Sequence, residues 1–240
     1  RNLINHNISA NYFGRLYNVD KKLCISIYKE YINSLCKNLK KIGVNINTIP
    51  VLDILRSNTS NIIGSRSFSN KKQIVKKLGQ ITVKQCHANK IISVIKHIPG
   101  HGCAISDSHK KMPKVNLSFE ELNNIDFFPF KSNSAKLAMT AHILYKKIDT
   151  KNVATFSKKI IKKIIRKKIG FNGILLSDDI SMKALKYDLV TNAKKSLDAG
   201  CNLVLYCAGN INDNIQLIKS VPFIDRFTSK KTSEIYKIIR

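Results

Sequence analysis

At 240 residues the chain is long enough to bury a sizeable core in one large domain. Hydrophobic and charged contents of 43% and 24% are ordinary for a globular protein, and no apolar run approaches the length of a membrane span, so no membrane partner is expected. The charge balance is unusual: 42 Lys+Arg against 15 Asp+Glu give a net charge of +27. Most of the excess is lysine on predicted helix faces, alongside many Ile and Asn, and reads as compositional drift with solvated side chains. No recognition helix, basic aromatic sheet or zinc-finger spacing points to nucleic acid, and none is expected as a partner. The six cysteines (24, 36, 86, 103, 201, 207) form no Cys-x-x-Cys pair, which predicts buried free thiols in a reducing compartment. The chain opens on Arg1, so the lack of a leader segment carries no weight.

In chain order, residues 1–17 show no strong period. Leu23, Ile27, Tyr31, Leu35 and Leu39 recur at steps of four and predict a helix over 20–41, ended by Gly43. Residues 44–52 read as a strand leading into Asp53, followed by a Ser/Asn-rich loop over 56–70. The unit then repeats. The pattern predicts helix over 71–88, strand over 90–95, and a long Gly/His/Asp loop to Leu117. Ser118-Phe-Glu-Glu121 is a capping signature for a helix over 118–131. Strand is predicted over 135–140, helix over 157–168, strand over 173–176, helix over 181–199 stopped by Gly200, and strand over 202–206. The tail from Asn210 is partly helical. Strands alternating with helices mean βα units and a parallel sheet. Polar residues follow the C-terminal ends of the strands, where such sheets place their sites. No dinucleotide fingerprint or phosphate loop is present.

Two segments concentrate the chemistry. The first is Lys96-His97-Ile98-Pro99-Gly100-His101-Gly102 running to Asp107-Ser108-His109. Pro99-Gly100 forces a turn, and Asp107 and His109, two apart, can point the same way. A carboxylate beside an imidazole raises its pKa toward working pH and suits it to acid/base duty. Three histidines in one loop also fit a metal, although Pro99-Gly100 opposes the helix that His97 and His101 would need at their spacing of four. His101 and His142 equally fit structural histidines satisfied by the backbone. The second segment is Ser177-Asp178-Asp179 at a strand end. Adjacent carboxylates there would repel and be desolvated if idle. The reactive role is assigned to Asp178 and a helix-capping role to Asp179, with a magnesium site as the alternative.

These motifs, with Pro50-Val-Leu-Asp53, Arg66-Ser67-Phe68, Met139-Thr140-Ala141-His142 with Tyr145 and Asp149, and Ser196-Leu-Asp-Ala-Gly-Cys201, closely resemble the NagZ-type β-N-acetylglucosaminidases of glycoside hydrolase family three. The likeness runs in order over about residues 40–207. It implies an α/β fold, a (β/α)8 TIM barrel in one catalytic domain over 1–240, and removal of a terminal β-N-acetylglucosamine with retention of configuration. By the same resemblance Asp178 is the nucleophile, His109 the acid/base residue and Asp107 its dyad partner, while Arg66, Lys96 and His97 bind the sugar. No metal or organic cofactor is implied. The family's barrel begins earlier, with three strands and an Asp-Gln-Glu-Gly-Gly-Arg segment absent here, so the expectation is an N-terminally truncated sequence holding the last five strands. Val153 stands where the family usually has proline.

The expected activity is cytoplasmic release of N-acetylglucosamine from muropeptides in cell-wall recycling, or from chitooligosaccharides, by a monomer. The alternatives are a family-three enzyme on another β-glycoside, one using phosphate as acceptor, or an inactive basic fragment with a binding role.

Overall fold

The computed structural model describes residues 8–56, 63–106 and 112–240. Alternating strands and helices build seven strands among the described residues. These are β1 (Ile46–Asn47), β2 (Ile92–Ile98), β3 (Lys114–Val115), β4 (Leu137–Thr140), β5 (Leu144–Tyr145), β6 (Ile174–Asp179) and β7 (Leu203–Leu205). Five of them form one curled parallel sheet in the order β1-β2-β4-β6-β7. Each main strand lies beside the one before it in the chain, with no reversal of order. That progression is how a barrel grows; a doubly wound sheet reverses at a switch point. β3 and β5 form a separate parallel pair above the rim.

Helices pack around the sheet. They are α1 (Ala10–Val19), α2 (Lys21–Lys41), α3 (Lys72–Ala88), the short α4 (Phe119–Asn124), α5 (Leu189–Ala199), α6 (Ile211–Ser220) and α7 (Arg226–Ile239). Residues Ile160–Lys168 wind as a π-helix, and its Ile160, Ile161, Ile164 and Ile165 are buried against the sheet. Ile95 of β2, with Ile91 just before the strand, joins the helix-covered core that includes Leu78, Val83, Ala138 and Leu175. The intervening Ile92 and Val94 join Leu137, Met139 and Ile174 on the inner face, where Ile235 of α7 packs against them. The two-residue period of a strand thus assigns each side chain to one of two cores. Truncating a fully buried member such as Leu78 to Ala costs about 2–5 kcal/mol.

The local departures from expectation have identifiable causes. The aperiodic N-terminal stretch contains α1, capped by Ser9 and buried through Phe13 and Gly14. The first expected strand shrinks to Ile46–Asn47 plus a bridge between Val51 and Lys96. The Ser118 capping box forms as expected, but α4 stops at Asn124, and a 3-10 turn carrying Pro129 follows at Phe128–Phe130. The expected helix over 181–199 begins only at Leu189. Asp188 caps it, accepting from Thr191 N–H, so the capping role assigned to Asp179 is corrected. It ends at Gly200, whose φ of +116° favours glycine. No described helix is long and apolar enough to cross a membrane.

Candidate active site

The chemistry-bearing residues gather at the C-terminal ends of the strands. Beyond β1, Asp53 is completely buried and acts as a hub. Its Oδ2 accepts from His97 Nδ1 at 2.7 Å, its Oδ1 accepts from His101 N–H at 2.6 Å, and both oxygens lie within 3.3 Å of His97 N–H. Burial alone would raise the Asp53 carboxyl, but His97 and His101 outweigh it and hold it below the ordinary carboxylate range. Donation from Nδ1 fixes the His97 ring and leaves Nε2 as the nitrogen available to a substrate hydroxyl. His101 is nine-tenths buried; burial and the neighbouring His97, against Asp53, push it down to about 4.

The turn after β2 is packed without spare room. Gly100 has φ +146°, and a Cβ there would sit 2.8 Å from Asp126. At Gly102 a Cβ would meet the Ile54 carbonyl oxygen at 2.0 Å. Tyr145 donates its hydroxyl to the Gly100 carbonyl, and Arg56 pairs with the buried Asp126 alongside. The His97 and His101 rings stand edge to face, with centroids 5.5 Å apart. Among the described residues no group of three or more His, Cys, Asp or Glu is arranged to hold a metal.

Across the rim, β6 runs longer than its apolar run and includes Ser177, Asp178 and Asp179. Asp178 follows Leu176 where the β6–β7 register shifts, and Lys96 follows Ile92 and Val94 in β2. Asp178 is half-buried and accepts from Asp179 N–H at 2.9 Å. Burial would raise it, but His97, His142, the Asp179 N–H and Lys96 together hold it below the usual carboxylate range. Burial conversely lowers Lys96, and Asp178 opposes that shift. Lys96 Nζ donates to Thr48 Oγ1 at 3.1 Å. The pattern is a carboxylate kept ionised among donors at a strand end.

Asp179 points to different work. Its carboxylate accepts from Ser181 N–H at 3.0 Å, Ser181 Oγ–H at 2.7 Å and Cys207 N–H at 3.2 Å, which binds the β6 loop to the end of β7. His142 is fully buried and pairs with Thr155 Oγ1 at 2.7 Å and the Asp179 carbonyl at 3.0 Å, and burial lowers its pKa. It is partnered by one side chain and one backbone carbonyl, close to the structural reading. Arg66 lies exposed at the end of a 3-10 turn, Gly64–Arg66. It borders a cavity of about 380 Å³ together with Lys96, Thr48 and Ser65; the apolar end of that cavity is formed by Phe13, Tyr28 and Phe68. The structure therefore brings Lys96, His97 and Asp178 into one electrostatic cluster and sets Arg66 beside Lys96. Asp107 and His109 lie outside the described residues. Sequence reasoning left Asp53 without a role, although a carboxylate directly after a strand was the available signal.

Residues 12–227 match the glycosyl hydrolase family 3 N-terminal domain. The chain belongs to glycosyl hydrolase family 3. Among its curated relatives, the beta-hexosaminidase of Neisseria gonorrhoeae strain FA 1090 is 35% identical over 178 residues, covering 72% of this chain and 49% of the relative. The beta-hexosaminidase of Methylobacillus flagellatus is 30% identical over 200 residues, 81% of this chain and 57% of the relative. The chain thus spans about half the length of the curated relatives it matches. The solved structure of NagZ from Neisseria gonorrhoeae in complex with N-trifluoroacetyl-D-glucosamine superposes with a TM-score of 0.88 at 27% identity, covering 98% of this chain and 69% of that one. The resemblance to NagZ-type β-N-acetylhexosaminidases drawn from the motifs is therefore matched by family, relatives and fold.

Proposed function

We propose that the protein is a retaining exo-β-N-acetylglucosaminidase whose five-stranded sheet corresponds to the last five strands of a (β/α)8 barrel. Asp178 is the nucleophile in this reading. Its carboxylate oxygen bonds to the anomeric carbon as the glycosidic C–O bond breaks, and His109 gives its proton to the leaving oxygen. His109 then takes a proton from water, which displaces Asp178 and restores the original configuration. Asp107 orients His109, and Lys96, His97 and Arg66 bind sugar hydroxyls. Asp53 is a positioning residue that fixes the His97 ring.

The observation that carries the reading is the Asp178 carboxylate at a strand end, held below the usual carboxylate range with His97 and Lys96 beside it. The sugar derivative bound by the Neisseria relative supports N-acetylglucosamine as the terminal residue. Substrates are muropeptides or chitooligosaccharides, and the compartment is the cytoplasm. The free cysteines of this chain are consistent with that compartment. The test is a panel of aryl β-glycosides with and without phosphate. The expected result is phosphate-independent release from the N-acetylglucosaminide, lost in Asp178→Asn. Preference for another β-glycoside, or a requirement for phosphate, would move the assignment within the family; binding without turnover would favour an inactive fragment.

A further inference from the structure

Two of the buried thiols face each other. Cys36 in α2 and Cys86 in the last turn of α3 are both fully buried, and the Cys36 S–H donates to Cys86 Sγ at 3.8 Å. Separate hydrogen bonds hold the two helices in this alignment. Tyr28 and Thr82 hydroxyls pair at 2.7 Å, and Asn89 Nδ2 donates to Asn33 Oδ1 at 2.9 Å. The sulfurs are therefore held within one short displacement of a bond of about 2 Å.

We propose that Cys36 and Cys86 are a dithiol/disulfide couple, and that a small peroxide converts them into a covalent staple between α2 and α3. The two thiols are not equivalent. The hydrogen bond from Cys36, aided by Ser93, lowers the Cys86 pKa against burial, and the same bond together with burial raises Cys36. Cys86 is the thiol that gives up its proton more readily, to solvent, and its sulfur attacks. Its sulfur bonds to one peroxide oxygen as the O–O bond breaks, giving a sulfenic acid, and the departing hydroxide takes the Cys36 proton. The Cys36 sulfur then bonds to Cys86 sulfur, and the sulfenic oxygen leaves as water after protonation. Overall two thiols and one hydrogen peroxide give one disulfide and two waters; the sulfurs are oxidised and the peroxide reduced. Burial excludes bulky thiol reagents and favours a small neutral oxidant. The couple is independent of the proposed glycosidase activity.

The experiment uses a Cys207→Ser background, because Cys207 is the exposed thiol and would form bonds between molecules. The folded protein is treated with hydrogen peroxide, quenched and denatured; its thiols are counted and its peptides mapped without reduction. Titratable thiols should fall from five to three, since six cysteines less Cys207 leave five. A cross-linked peptide pair containing Cys36 and Cys86 should appear, lighter by two hydrogens. The thermal midpoint should rise by roughly 5–10 °C and return on reduction. Adding Cys36→Ala should abolish both the cross-link and the rise. Persistence of five thiols under peroxide that oxidises the unfolded chain, or a link joining other cysteines, would overturn the proposal.

Discussion

The segment beyond β1 and the end of β6 each carry a buried or half-buried carboxylate, and the two differ in how their oxygens are occupied. Asp53 is completely buried and bonded to two backbone N–H groups and the His97 ring. Asp178 is half-buried, accepts from its neighbour's N–H, and is held below the usual carboxylate range mainly by the charged and polar groups set around it. A carboxylate whose lone pairs are spent on its own protein orients other groups. One that is kept charged without being saturated retains lone pairs for a substrate. The same residue type thus serves as scaffold on one side of the rim and, in the proposed mechanism, as reactant on the other.

Substitution should separate the two roles. Asp178→Asn is expected to cut turnover of aryl β-N-acetylglucosaminide by about 10⁴-fold or more while leaving urea unfolding nearly unchanged. Asp53→Ala should do the reverse in stability, losing about 3–5 kcal/mol in the same unfolding experiment, because it strips a buried histidine and two buried N–H groups of their acceptor. Equal destabilisation by the two variants would erase the distinction.

The acid limb sharpens it further. His101 has a folded pKa near 4 against an ordinary 6.5, so between those values the unfolded chain holds a proton that the folded chain does not. Stability should therefore fall by about 3 kcal/mol as pH drops from 6.5 to 4, and this residue should contribute no further loss below that. His101→Gln should flatten that part of the profile in pH-dependent urea titrations. Asp53, held low, contributes stability that is present above the ordinary carboxylate pKa and disappears as pH falls through its depressed value, so Asp53→Ala should flatten the more acidic limb. The smallest effect is expected for Tyr145→Phe. It removes the hydroxyl donated to Gly100 and should cost about 1–2 kcal/mol by thermal unfolding, with turnover changed less than by Asp178→Asn.

Much of this arrangement is legible in the sequence because local signals and tertiary demand agree. Strands β2, β4 and β6 begin as apolar runs, β-branched in β2 and Leu-rich in β6, and the Lys96-His97 and Asp178 positions follow from where those runs end. Where the two disagree, the sequence is a weaker guide. Helix α1 is held by burying Phe13 and Gly14, where an added Cβ would fall 1.6 Å from the Phe68 carbonyl oxygen, a long-range fit that no periodicity reports. The helix before Gly200 looks eight residues longer than it is because Asp179 and Asp188 are both plausible caps. The choice is made by Cys207 and Ser181, whose groups claim Asp179 from across the loop. The role of Asp53 stayed hidden for the same reason, since its partners His97 and His101 arrive from more than forty residues away.

The claim that Asp178 is the reactive carboxylate is most directly tested by trapping. Incubation of the protein with a 5-fluoro-N-acetylglucosaminyl fluoride, followed by proteolysis and peptide mass spectrometry, should place the sugar adduct on the peptide containing Ser177-Asp178-Asp179, with Asp178 as the modified residue and no adduct in Asp178→Asn. An adduct on Asp53 or Asp179, or one that survives in Asp178→Asn, would contradict the account.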